Sequence, residues 1–296
     1  MIARRPFIAL AGAALAGIVA GPVLARTARA VARSPATPGF DALEAESGGR
    51  LGVCLWHPAS GARFGQRMDE RFPMCSTFKF LLVAAVLHRA AQGRLSLDRR
   101  VAVRASDLIA HSPVSARHVD KDLGVRDLCR ATLTTSDNAA ANLLLPLVDG
   151  PAGLTAFLRA QGDAVTVAAR YEPDANRFAP DDPRDTTSPA AMAGNLQRFV
   201  FGHALDAASR QQLADWLIDN QTGDARLRAG LPAGWRVGDK TGSNGRDTSN
   251  DIAVLWPRRG GSPWVLAVFL QGSVLDDAGR DAILRRVGEQ AATYLG

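Results

Sequence analysis

Ser76-Thr77-Phe78-Lys79-Phe80-Leu81-Leu82-Val83-Ala84-Ala85-Val86-Leu87-His88-Arg89-Ala90 is the stretch on which the fold turns. From Thr77 to Ala90 it is apolar on nearly every side, and for a helix of that length an all-round apolar surface means burial at the centre of a domain. It is too short to span a bilayer, which takes about 20 apolar residues. A core helix is therefore expected. Its first turn carries a hydroxyl, Ser76, and an amine, Lys79, one turn apart and so on one face.

Working outward, residues 41–48 read as the start of a helix and Arg50 to His57 as a strand. Ala59-Ser60-Gly61 supplies a turn and Ala62 to Gln66 the returning strand of a hairpin. Beyond the core helix, residues 98–218 hold helical segments separated by loops rich in Asp, Pro and Ser. One of these loops, Arg170 to Asp185, is long and irregular, and such loops are usually functional. From Trp235 the texture changes to strands over Arg236 to Lys240, Asp251 to Trp256 and Trp264 to Gln271. A terminal helix then places Ile283, Val287, Ala291 and Tyr294 on one face. Strands at both ends of the chain with helices between them imply an α/β chain of the α+β, two-part kind. An antiparallel sheet flanked by helices, residues 31–74 and 219–296, stands beside an all-helical subdomain, residues 75–218, that carries the loop 170–185. The cleft between the two parts is the natural site.

With 296 residues, 47% of them hydrophobic and 22% charged, the chain can bury a sizeable core, which argues against disorder. The net charge of +6 comes from arginines scattered singly, with no basic stripe or interleaved aromatics, so nucleic acid is not the expected partner. Only three lysines occur, Lys79, Lys121 and Lys240, and their scarcity makes their placement informative. The N-terminus combines Arg4-Arg5, an apolar run from Phe7 to Leu24 and the small-residue site Ala28-Arg29-Ala30, which reads as an export signal over residues 1–30. The arginine pair favours the twin-arginine route. The expected mature protein is periplasmic or secreted, with no membrane attachment. Cys54, Cys75 and Cys129 cannot all pair, and buried free thiols are the expectation.

Three further motifs share the chemistry of Ser76-x-x-Lys79. Ser136-Asp137-Asn138 precedes the apolar helical run Ala139 to Val148. Lys240-Thr241-Gly242-Ser243 ends an expected strand. Both lie at element ends, where side chains can converge. Each alone would be a cap or a turn, but in this order the three form the signature of class A β-lactamases and penicillin-binding proteins. The fourth is Arg170-Tyr171-Glu172-Pro173-Asp174-Ala175-Asn176, followed by Arg184-Asp185, which resembles the omega loop of class A β-lactamases. A carboxylate and an amide four residues apart can hold a water over an ester, the feature that separates a hydrolase from a penicillin-binding protein that acylates and stalls.

The resemblance to class A serine β-lactamases, in particular to their extended-spectrum, cephalosporinase-like chromosomal branch, covers essentially the whole mature chain. It implies a β-lactamase/transpeptidase-like fold, a monomer, β-lactam substrates such as penicillins and cephalosporins, and no cofactor or metal. It further implies Ser76 as nucleophile, Lys79 as acylation base or proton relay (with Glu172 the alternative base), and Ser136 as the donor to the leaving nitrogen. Glu172 with Asn176 would activate the hydrolytic water. Asn138 would bind the acyl side-chain amide, Lys240, Thr241 and Ser243 beside Gly242 the substrate carboxylate, and the N–H groups of Ser76 and Ser243 the oxyanion. Arg170 and Asp185 would tie the omega loop by a salt bridge, and Glu172-Pro173 would be cis. His111 matches a rim position often held by an aromatic that packs on substrate.

The chain departs from the family in one place that matters for recognition. Where many members carry a carboxylate-pairing arginine just after the Lys-Thr-Gly strand, this sequence reads Thr248-Ser249-Asn250-Asp251, which leaves Arg226 or Arg280 to take that part. Cys75 faces Asn244, and Cys129 faces Val83, at the positions of family disulfides, so neither is expected to be bridged. His57, His88, His111, His118 and His203 have no metal-ligand spacing. A Gly-x-Ser-x-Gly elbow is absent, which speaks against an α/β-hydrolase esterase.

Overall fold

The computed structural model describes residues 39–258 and 260–295; the export signal expected over residues 1–30 lies outside the described residues. Helix α1 (Phe40–Ser47) leads into strands β1 (Arg50–His57) and β2 (Ala62–Gln66), a hairpin with the expected boundaries. A short strand β3 (Phe72–Pro73) precedes the core helix α2 (Phe78–Ala91). Strands β4 (Arg100–Val103) and β5 (Lys121–Gly124) follow, then helices α3 (Val125–Thr134), α4 (Asn138–Leu144) and α5 (Gly150–Ala160). After the long loop come β6 (Thr186–Thr187), α6 (Pro189–Val200), α7 (Ala207–Ile218) and the one-turn helix α8 (Leu227–Gly230). The chain finishes with β7 (Arg236–Ser243), β8 (Ser249–Trp256), β9 (Trp264–Gln271) and α9 (Asp277–Ala292).

Five strands form one antiparallel sheet in the order β2-β1-β9-β8-β7, so the first long strand pairs with the last, Val53 opposite Val268, as the placement of strands at the two chain ends requires. The sheet is buried on both faces, and the period of two sorts its side chains. Leu51, Val53 and Leu55 of β1 and Leu266, Val268 and Leu270 of β9 join Phe40 and Leu43 of α1 and Ile283, Leu284 and Val287 of α9 in one cluster. Val265, Ala267 and Phe269 of β9 and Ile252 and Val254 of β8 point the other way, into the larger cluster built around α2. Every residue of α2 from Phe78 to Leu87 is buried, Lys79 included, which is the all-round burial its composition demands.

Three details differ from the sequence reading. Ser76 lies in a 3₁₀ turn, Cys75–Thr77, that precedes the α-helix, because Cys75 adopts a left-handed φ of 45° and the chain must tighten before α-helical pairing starts. Strand β7 runs on through Thr241, Gly242 and Ser243, since its pairing with β8 continues to Ser243 opposite Ser249. The region 75–218 is not purely helical: β4 pairs with β5, and β6 with β3. These strands are two to four residues long, β4 and β5 half exposed and β3 and β6 buried, too brief for a period of two to register. Among the described residues no single helix is long and apolar enough to cross a membrane.

Leu82 is fully buried in α2. Leu82→Ala is expected to cost about 2–5 kcal/mol of unfolding free energy through lost burial and the cavity left behind. Urea unfolding followed by circular dichroism would report this as a lower midpoint with an unchanged slope.

Candidate active site

The 3₁₀ turn before α2 brings Ser76 to the helix N-terminus, where free N–H groups and the dipole favour negative charge. Thr77 ties the turn down, its Oγ1 donating to the Met74 carbonyl at 2.8 Å. Strand β7 passes immediately alongside. A Cβ on Gly242 would stand 2.8 Å from Met74 O and 3.2 Å from Ser76 N, so only glycine lets the strand approach the nucleophile's turn this closely.

One turn into the helix, the Lys79 side chain has no solvent exposure. Its Nζ lies 2.9 Å from Ser76 Oγ, 2.8 Å from Ser136 O, 3.3 Å from Ser136 Oγ and 2.5 Å from Asn138 Oδ1. Glu172 Oε1 stands 3.5 Å away. Burial pushes the lysine pKa below its ordinary value, and the Glu172 carboxylate pulls in the opposite direction.

Ser136 holds a left-handed φ of 58°, a conformation that costs a non-glycine residue roughly 1–2 kcal/mol. Its neighbour Asp137 keeps it there. That buried carboxylate accepts from Val114 N, Ser115 N and Ser115 Oγ at 2.8–2.9 Å and caps α4 through Ala140 N at 2.8 Å. Ser136 Oγ thereby sits between two lysines, since Lys240 Nζ is 3.1 Å from it. Lys240 is fully buried; burial first, and then the charge of Lys79, push its pKa well below normal. Asn138 spans the cleft wall, accepting from Lys79 and donating from Nδ2 to Ala110 O at 2.8 Å. His111, at φ 59°, has its Nε2 2.9 Å from Thr135 O.

The loop from Arg170 to Asp185 is closed by the ion pair expected between its ends, at 2.5 Å, and the Glu172–Pro173 bond is cis. Glu172 is buried, and Asn176 Nδ2 donates to its Oε2 at 2.5 Å. The other atoms of this pair, Glu172 Oε1 and Asn176 Oδ1, are buried without a hydrogen-bond donor from the protein. Glu172 Oε1 has instead the charge of Lys79 Nζ at 3.5 Å, and both atoms are acceptors by their chemistry. Sequence reasoning missed Asn142. On α4 it grips the Glu172 backbone from both sides, accepting from Glu172 N and donating to Glu172 O, each at 2.9 Å. An Asn within a helical run reads as an ordinary surface residue, and no local signal marks it.

Ser76, His111, Ser136, Asn138, Asn176, Arg226, Thr241, Gly242 and Ser243 line one cleft of about 300 Å³, together with Thr222 and Gly245, which the sequence did not single out. Lys79, Glu172 and Lys240 lie buried beneath it. The structure separates the two candidate arginines. Arg226 reaches the cleft, with Nη1 donating to Gly242 O at 3.0 Å and Asn250 O at 2.8 Å. Arg280 does not: 1% exposed, it bonds Ser249 Oγ, Arg246 O, Leu275 O and Asp277, a brace between α9 and the β7–β8 turn. Cys54, Cys75 and Cys129 are buried and free. Among the described residues no cluster of three or more His, Cys, Asp or Glu could hold a metal ion.

Two aspartates, Asp239 and Asp251, are also fully buried on the face of β7 and β8 turned away from Lys240. Asp239 pairs with Arg228 and accepts from Asn220 Nδ2 at 2.9 Å. Asp251 accepts only from Leu227 N, at 3.3 Å, and its Oδ1 has no partner. Burial pushes its pKa well above the carboxylate range and the Asp239 charge adds to this, against Arg226 and Arg228.

Comparison with known proteins follows the same outline. Residues 37–295 match the family described as the β-lactamase enzyme family. The chain is 56% identical to Beta-lactamase L2 of Stenotrophomonas maltophilia over an alignment of 303 residues covering 100% of each. It is 43% identical, over 276 residues, to the carbapenem-hydrolyzing beta-lactamase KPC of Klebsiella oxytoca, covering 93% of this chain and 94% of that one. The crystal structure of a beta lactamase from Xanthomonas campestris superposes with a TM-score of 0.86 at 54% identity, covering 87% of this chain and 96% of that one.

Two outcomes test this geometry. Asn142→Ala leaves the Glu172 backbone N–H and C=O unpaired, at a cost of about 1–3 kcal/mol, and frees the carboxylate to drift. Turnover of a good substrate is expected to fall roughly 10²-fold, in line with a misplacement on the order of 1 Å. Steady-state kinetics and urea unfolding measure the two effects. For Asp251, the unfolded chain ionises near the ordinary value of about 3.9 while the native carboxyl keeps its proton to higher pH. Over that window the unfolded state binds fewer protons, so native stability falls as pH rises. Asp251→Asn removes the loss, and the melting temperature of the variant minus that of the parent is expected to grow as pH rises above about 4.

Proposed function

The chain belongs to the β-lactamase enzyme family as a class A serine β-lactamase, which hydrolyses the β-lactam amide through a serine acyl-enzyme, and from that premise we propose how its residues divide the work. The observation that carries the proposal is the position of Lys79 Nζ, within 3.5 Å of Ser76 Oγ, Ser136 Oγ, Asn138 Oδ1 and Glu172 Oε1. One nitrogen connects the nucleophile, the leaving-group donor and the base.

Ser76 Oγ attacks the ring carbonyl and gives up its proton to Lys79 or, through solvent, to Glu172. The oxygen that becomes negative is held by the N–H groups of Ser76 and Ser243, at a helix N-terminus and on the edge strand β7. The C–N bond breaks as the Ser136 hydroxyl delivers a proton to the nitrogen, and its place between Lys79 and Lys240 suits it to be reprotonated from either side. Lys240, Thr241, Ser243 and Arg226 receive the substrate carboxylate beside Gly242, Asn138 receives the acyl amide, and His111 lines the rim. Water held by Glu172 and Asn176 then attacks the ester, Glu172 taking its proton, and Ser76 is regenerated. Arg170 and Asp185 keep the loop in register for that step.

Penicillins and cephalosporins are the proposed substrates, with β-lactam resistance as the consequence. The Arg4-Arg5 signal over residues 1–30 supports export by the twin-arginine route to the periplasm, where the enzyme acts as a monomer. We assign residues 31–74 and 219–296 to its sheet part and 75–218 to its helical part.

Glu172→Gln separates the two halves of the reaction. Acylation retains the Lys79–Ser136 relay, whereas deacylation loses a general base worth roughly 10²–10⁴-fold. Mixed with a penicillin, the variant is expected to gain the mass of one ring-opened substrate on the peptide containing Ser76, with one fast turnover and then near silence. Ser76→Ala is expected to show no adduct. Turnover at the parent rate by the Glu172 variant, or label on another residue, would refute this division of roles.

A further inference from the structure

Asp239, Thr241 and Asp251 share one face of the sheet: residues two apart on β7 point the same way, and Asp251 is the cross-strand partner of Thr241. The segment 220–228 covers them. Thr222 Oγ1 meets Thr241 Oγ1 at 2.5 Å, and Arg228 with Asn220 satisfies Asp239. Arg226 is paired in its turn with Asp281, Nε to Oδ1 at 2.7 Å. Of the two aspartates on this face, these pairings leave Asp251 without an ion-pair partner, and its one bond is to the N–H of Leu227, the residue that follows Arg226.

That bond ties the chain at the point where Arg226 leaves it. The guanidinium is then held from above by the carbonyls of Gly242 and Asn250, while the Asn250 side chain donates to Pro73 O at 2.8 Å and Met74 O at 3.0 Å, just before the nucleophile's turn. Asn250 and Asp251 are sequence neighbours pointing to opposite faces of β8, so one dipeptide registers Arg226 against both the edge strand and Ser76. We propose that Asp251 is a positioning residue for substrate recognition: by anchoring the Arg226–Leu227 peptide beneath the edge strand it sets where the Arg226 guanidinium enters the cleft. The inference rests on the reading that Arg226 meets the substrate carboxylate.

The acceptor rather than the charge is what the Leu227 N–H requires. Burial first and the Asp239 charge next raise the Asp251 pKa, against Arg226 and Arg228, and asparagine matches the carboxyl in shape while keeping an acceptor oxygen. Asp251→Leu keeps the bulk and removes the acceptor.

The test is steady-state kinetics of a penicillin with the purified enzyme and four variants, Arg226→Ala, Asp251→Leu, Asp251→Asn and the double variant Arg226→Ala with Asp251→Leu. Arg226→Ala is expected to raise KM about tenfold with kcat within about twofold, the loss of one charge-assisted contact. Asp251→Leu is expected to reproduce that split, the double variant to add nothing further, and Asp251→Asn to keep the parent KM. If Arg226→Ala raises KM while Asp251→Leu does not, or if the two effects add, the positioning inference is wrong and the reading of Arg226 stands. If Arg226→Ala leaves KM unchanged, the reading of Arg226 fails and the inference with it. Should Asp251→Leu not fold, Asp251→Ala, which also lacks the acceptor, takes its place, and an unchanged KM there overturns the proposal; a tenfold higher KM in Asp251→Asn overturns it as well, since the charge would then act and not the acceptor.

Discussion

A lysine with no access to water is the constraint around which this molecule is arranged. An amine buried in apolar surroundings loses hydration worth several kcal/mol, and it is tolerated only if other groups replace the water. Lys79 finds its replacements on three separate parts of the chain: the turn before α2, the Ser136–Asn138 turn and the omega loop. A shift of any one of these segments removes a hydrogen bond or the opposing charge from the buried amine, so the demand that folds the site together is also what aligns its reacting groups. Stability and catalysis draw on the same contacts here.

The same logic explains where the backbone is strained. Of the seven non-glycine residues at positive φ among the described residues, Cys75, His111, Ser136 and Asp185 border the cleft or its loop, and Arg67, Asp120 and Asp149 lie elsewhere. Met74 N donates to Asp185 O at 2.9 Å, tying the nucleophile's turn to the end of the omega loop, and Asn138 N donates to His111 O at 3.0 Å, tying the rim to the Ser136 turn. Strain of this kind persists where the surroundings over-determine it, and it gathers at functional sites because side chains there must point where regular structure would not send them.

Much of this was legible in the sequence, for reasons that differ between fold and site. The core helix announced itself because apolar residues on every side admit only burial, and the long strands β1, β8 and β9 because sheet burial on both faces writes apolar runs. The four motifs named the cleft residues because their chemistry is unusual in company. What stayed hidden was set by long-range contact. Asn142 holds Glu172 across thirty positions of chain with no local mark. Asp137, inside the Ser136-Asp137-Asn138 motif, accepts from the N–H groups of residues 114 and 115, more than twenty positions away. The hairpin β4–β5 is short and half exposed, so its pattern carries too few residues to resolve.

The two arginines show where a sequence argument must end and packing takes over. Arg226 and Arg280 are chemically identical, and spacing alone left both available for the substrate carboxylate. Their fates divide at the turn between β7 and β8. Arg280 rises from α9 under that turn and spends its donors on Arg246 O, Leu275 O and Ser249 Oγ, which closes it off from solvent. Arg226 precedes a single-turn helix at the open end of β7, so its bonds to Gly242 O and Asn250 O hold it at the cleft rather than below it. Ser249, in the stretch 248–251 where the family resemblance leads one to expect an arginine, is itself buried and bonded to Arg280. A small residue there admits the brace from α9, and of the two arginines it is Arg226 that lines the cleft.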